Sequence, residues 1–127
     1  MTDSASPYEV LCELPDHLRG VGSGPHNGLS MRDLLQAIRY RDLRARLNTS
    51  ALATYLQAHP DRVRAWECYC EDKRTDGGFY LDIGGLEVGR YEVGKGRIER
   101  ETYLSAHETC AAFILMELDF WLAVRRE

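Results

Sequence analysis

From Ser30 to Ala58 the apolar positions recur every three or four residues, and from Arg64 to Tyr103 every two. Ser30-Met31-Arg32-Asp33 has the form of a helix start, with a hydroxyl to accept an orphan N–H and an acid near the positive end. Met31, Leu34, Leu35, Ile38 and Ala45 follow at helical spacing, so one helix is expected over about 31–47. Asn48-Thr49-Ser50 breaks it and caps a second helix, whose apolar face is Leu52, Tyr55 and Leu56 and which stops before Pro60. Beyond Arg64, Trp66, Cys68 and Cys70 alternate with Glu67, Tyr69 and Glu71. Phe79, Leu81 and Ile83 then alternate with Tyr80 and Asp82. Gly84-Gly85 suits a tight hairpin, the run Leu86–Val93 changes parity around Gly89 as at a bulge, and Gly94-Lys95-Gly96 leads into Arg97–Tyr103. The expectation is a four-stranded antiparallel meander.

Ser105-Ala106-His107-Glu108 is a capping box, and the helix it opens should run to about Arg125. One stripe of it is apolar (Ala106, Cys110, Phe113, Ile114, Leu118, Phe120, Trp121 and Val124), with Glu108, Ala112, Leu115, Asp119 and Leu122 on the opposite side. Upstream, Tyr8–Leu14 fits either a short edge strand or one helical turn. Residues 15–29, with four Gly and two Pro, read as a loop. The fold class is therefore α+β: a single domain over 1–127, with 1–29 as a partly flexible lead-in. N-terminal helices precede the four-stranded sheet, and a long C-terminal helix packs on one sheet face while the other is wet.

Composition agrees with one globular domain, at 44% hydrophobic and 28% charged residues. The net charge of −4 disfavours a generally basic binder of nucleic acid or anionic membrane. That sum hides an uneven spread, because residues 30–60 hold five Arg against Asp33 and Asp42 while the flanking segments are acidic. Met1–Pro7 is polar and no apolar run approaches the length of a membrane span, so a cytoplasmic protein without membrane contact is expected.

Few residues suggest catalysis. Cys68 and Cys70, on one face of the expected strand, lack the spacing usual for zinc, with or without His59 or His107, and read better as small hydrophobes. No cofactor is implied. Glu117 falls inside the apolar stripe of the last helix, where a carboxylate must be paired or neutralised; a salt bridge explains it more simply than an acid or base. Arg39, Arg41, Arg44 and Arg46 could contact phosphate or an acidic partner, but no aromatic ladder accompanies them, so nucleic acid is disfavoured. The outer face of the expected sheet combines aromatic anchors with negative charge: Glu67, Tyr69, Glu71, Tyr80, Asp82 and Glu87. Such a face suits a basic protein partner.

The 66–118 region resembles bacterial immunity proteins associated with polymorphic toxins. The resemblance lies in Trp66 on a first strand, Glu71-Asp72-Lys73-Arg74-Thr75, Gly78-Phe79-Tyr80-Leu81 and Val88-Gly89. It continues in Glu108-Thr109-Cys110-Ala111-Ala112-Phe113-Ile114 with Glu117-Leu118. It implies a non-enzyme that binds and neutralises a cognate toxin as a heterodimer, and it assigns no contact residue. The competing reading is a small regulatory or nucleic-acid-binding protein that uses the Arg39–Arg46 segment; a small enzyme ranks below both.

Overall fold

A computed structural model describes residues 6–20, 26–72 and 77–125, and it is α+β, with seven helices and three strands among those residues. Part of the lead-in is helical. Ser6 accepts hydrogen bonds from the Tyr8 and Glu9 amides and Pro7 takes the first turn, so α1 (Pro7–Cys12) forms instead of a strand. After it, α2 (Leu14–Arg19) closes on Gly20, whose φ of 76° is the left-handed cap that glycine adopts most readily. Residues 1–5 and 21–25 of the expected lead-in lie outside the described residues.

The single helix expected over 31–47 is two, α3 (Met31–Ala37) and α4 (Tyr40–Arg44), divided at Arg39 with φ 57°. The break corrects a register problem. Continued at 100° per residue, the apolar face of Met31, Leu34, Leu35 and Ile38 would next present Arg41 and Asp42 to the core. The left-handed residue resets the phase, so Tyr40 and Leu47 turn inward and Arg41 and Asp42 stay in water. Tyr40 donates to Asp119 Oδ1 at 2.8 Å, and Arg44 Nε reaches the same oxygen at 3.0 Å. Next comes α5 (Thr49–Ala58), capped as expected by Asn48 Oδ1 on the Ala51 amide at 2.7 Å.

The expected first strand is the helix α6 (Pro60–Asp72). Pro60 is pre-set for a first helical turn. Val63, Trp66, Tyr69 and Cys70 pack against the core at spacings of three and four, a helical pattern that coexists with the alternation of 66, 68 and 70. The sheet therefore has three strands, β1 (Gly77–Asp82), β2 (Glu87–Glu92) and β3 (Gly96–Thr102), paired antiparallel in chain order. The β1–β2 link is Ile83–Leu86, longer than the Gly84-Gly85 pair alone. The bulge is real but sits on β3. Val88 pairs with Glu101 and Arg90 with Ile98, so Glu99 and Arg100 together oppose Gly89, and Glu99 has φ 53°.

Phe79, Leu81 and Val88 face the helices from the inner side of the sheet. The C-terminal helix α7 (Ala106–Arg125) starts on the expected cap: Ser105 Oγ accepts from the Glu108 amide, and Glu108 reaches back to the Leu104 amide. It packs on the sheet on one side and on α3, α5 and α6 on the others. Ala112 and Leu115, expected to be outward, are accordingly buried, and every residue from Thr109 to Leu115 is enclosed. Trp66 and Phe113 meet edge to face at 6.2 Å at the centre of this core.

Candidate functional site, the outer face of the sheet

The six residues expected on one acidic and aromatic face fall in two places. Glu67, Tyr69 and Glu71 are on α6. Glu67 is half-buried and pairs with Arg64 at 3.4 Å, and Glu71 is exposed. Tyr69 points inward, its ring edge-on to Trp66 at 5.1 Å, and its hydroxyl donates to Glu117 Oε2 at 2.5 Å. Trp121 Nε1 donates to the same oxygen at 3.0 Å, so the buried Glu117 carboxylate is held by aromatic donors. Burial, and then the adjacent Glu117, hold the Tyr69 hydroxyl far above the usual phenol range.

Tyr80, Asp82 and Glu87 do share the outer face, and two arginines that sequence reasoning missed join them. Arg100 forks onto Glu87, Nε to Oε2 and Nη2 to Oε1, both at 3.1 Å. Arg97 bonds Asp82 at 3.0 Å, approaches Glu87 at 3.4 Å, and lies over the Tyr80 ring at 4.6 Å from its centroid. The Tyr80 hydroxyl donates to Glu87. The ring rests on Gly89, where a Cβ would come within 2.7 Å of Tyr80 Oη and 2.9 Å of the Ile98 carbonyl. Tyr91, across from Arg97, is 49% exposed on the same side.

The bulge assembles this cluster. Positions 97 and 100 are three apart and would face opposite ways in a regular strand. The extra residue returns Arg100 to the side of Arg97, and both reach Glu87 Oε2.

Charges on this face are fixed at neutral pH. Arg100, with the Tyr80 hydroxyl, holds Glu87 below the usual carboxylate range, and the Gly85 amide with Arg97 does the same for Asp82. Burial, and then Glu87, push Tyr80 up to about 12. The arrangement can orient a partner, but it holds no group poised to exchange a proton near pH 7. Its acids are also spent on its own arginines, so the face is not the unbalanced negative surface that the sequence implied.

Other candidates fall elsewhere. Cys68 and Cys70 stand two apart on a helix, so their side chains diverge, and Cys70 Sγ accepts from the Leu81 amide at 3.3 Å. Burial raises the Cys110 thiol and pushes Cys12 up to about 12, which makes both poor nucleophiles. No group of three or more metal-ligating side chains occurs among the described residues. No helix among them is long and apolar enough to cross a membrane. A groove of about 590 Å³ opens between α5, the end of β3 and the start of α7, lined by residues that include Ser50, Gln57, Thr102 and His107; none of the six expected site residues lines it.

No protein-family model, curated protein or solved structure matches this chain.

Proposed function

We propose that the protein is an immunity-type inhibitor that binds a cognate bacterial toxin and neutralises it by occupying it. The observation that carries the reading is the outer sheet face. Tyr80, Arg97, Arg100 and Glu87 brace one another before any partner arrives, and Tyr91 stands half-exposed beside them. Tyrosine and arginine are the residue types on which binding energy concentrates, and side chains already held in place lose little freedom on association. The motifs on which the resemblance rests at Phe79-Tyr80-Leu81, Val88-Gly89 and 108–118 fall on β1, β2 and α7, which pack together as one unit. The resemblance also expects Trp66 on a strand, whereas here Trp66 is buried on α6, so that part of it does not match.

The test is to read the neighbouring open reading frames for a toxin domain and to co-express any such domain with this chain. Cells should survive the toxin only when the chain is present, and the two proteins should co-elute at one-to-one stoichiometry. Tyr91→Ala and Arg97→Ala should each weaken the complex by about 1–2 kcal/mol. Failure to protect, together with no complex, would reject the reading. Protection that survives both substitutions unchanged would move the interface away from this face.

A further inference from the structure

We infer that the elbow formed by α3 and α4 is a second docking surface, one that takes an acidic protein surface. The inference deepens the inhibitor reading, on which it rests for the identity of its partner. Arg32, Arg41 and Arg46 are exposed and have no carboxylate partner among the described residues. Every other described Lys or Arg side chain except Arg19 lies in ion-pair range of a carboxylate. Among the described side chains, three of the four cations without a carboxylate partner therefore sit within one short segment.

The fold explains why they stand clear. Arg44 is drawn inward by Asp119, which also accepts from the Tyr40 hydroxyl, and the left-handed Arg39 turns α4 so that Arg41 stays in water. The exposed residues between them include Gln36, Ala37 and Ala45, which are uncharged. Free guanidinium groups in such a setting bind carboxylates in a bidentate fork and steer an oppositely charged surface during approach.

A protein surface fits better than a nucleic acid. Asp33 and Asp42 are exposed on the same segment, and Arg39 already pairs with Asp42 at 3.3 Å. Those carboxylates repel a continuous phosphate backbone. A protein can set its own acids against the arginines and leave the aspartates facing neutral or basic groups.

The experiment is an amide-resolved NMR titration of the full chain with poly-L-glutamate and, separately, with duplex DNA. Poly-L-glutamate should shift amides clustered in residues 31–47, with affinity on the order of tenfold weaker at about 200 mM than at about 20 mM salt. The double variant Arg41→Glu/Arg46→Glu should abolish those shifts while keeping a dispersed spectrum, and Lys95→Glu should leave them intact. Shifts elsewhere, no shifts, an equal effect of Lys95→Glu, or tighter binding of DNA than of poly-L-glutamate would each overturn the inference. Failure of this assignment and failure of the inhibitor reading are separable. A protective toxin complex whose association rate ignores the charge reversal removes the elbow and keeps the function. Poly-L-glutamate binding at the elbow without any toxin neutralised does the reverse.

Discussion

Gly89→Ala tests the outer face at its tightest point. The added Cβ would lie 2.7 Å from Tyr80 Oη, 3.0 Å from Tyr80 Cε2 and 2.9 Å from the Ile98 carbonyl. The tyrosine can swing aside, at the expense of its bond to Glu87 and its contact with Arg97. The Ile98 carbonyl belongs to the backbone of β3 and moves only if the β2–β3 pairing opens. Overpacking of this kind costs about 1–3 kcal/mol. Alanine recovers about 0.5–1 kcal/mol over glycine inside a strand. The net expectation is a loss of about 1–2 kcal/mol, read as a fall of about 4–8 °C in Tm for a domain of this size. Thermal and urea unfolding of the single variant measure the total. Repeating the substitution in a Tyr80→Ala background removes both tyrosine contacts and leaves only the carbonyl, so the cost should fall by about 0.5–1 kcal/mol. Unchanged stability of Gly89→Ala, or the same cost with and without Tyr80, would show that the ring does not rest on the glycine.

Three further expectations follow from the same geometry. Tyr69→Phe removes a donor from the buried Glu117 carboxylate and should cost about 1–3 kcal/mol in denaturant unfolding, which marks Tyr69 as part of the core. Arg39 occupies a left-handed backbone at φ 57°, so Arg39→Gly should leave stability unchanged or raise it, whereas Arg39→Val should lower it by about 1–2 kcal/mol in the same assay. Glu87 and Asp82 titrate lower in the folded chain than when unfolded. Their stabilisation is therefore complete above the unfolded carboxylate range near about pH 4–4.5 and is lost as pH falls below it through the folded values. Urea midpoints measured from neutral pH down to acid should show that loss, and Glu87→Gln should flatten the slope.

What the sequence made legible was local. The Asn48 and Ser105 caps, the three strands after residue 76 and the long last helix all depend on neighbouring residues, and each lies close to where the pattern puts it. The first strand was not legible correctly, because residues 63–70 satisfy a two-residue and a helical period at once and only burial against α7 separates them. Tyr80, Asp82 and Glu87 could be grouped because period two holds between them. Arg97 and Arg100 could not, because their odd spacing puts them together only after a bulge is inserted on β3, and the sequence pointed to β2. The Tyr69–Glu117 pair joins positions 48 apart, beyond the reach of any pattern within one element.

The β3 bulge has a further consequence for the chain in a crowded cell. Only β2 pairs with β3 among the described strands, which leaves the outer rim of β3 open to strand addition from another molecule. The opposite rim is engaged by α6, where Cys70 takes the Leu81 amide. On β3, the kink at Glu99-Arg100 interrupts the flat row of backbone groups that an incoming strand would need, and the run Arg97-Ile98-Glu99-Arg100-Glu101 surrounds it with charge. Both devices oppose edge-to-edge self-association between copies, so the irregularity that aligns two arginines also works against aggregation.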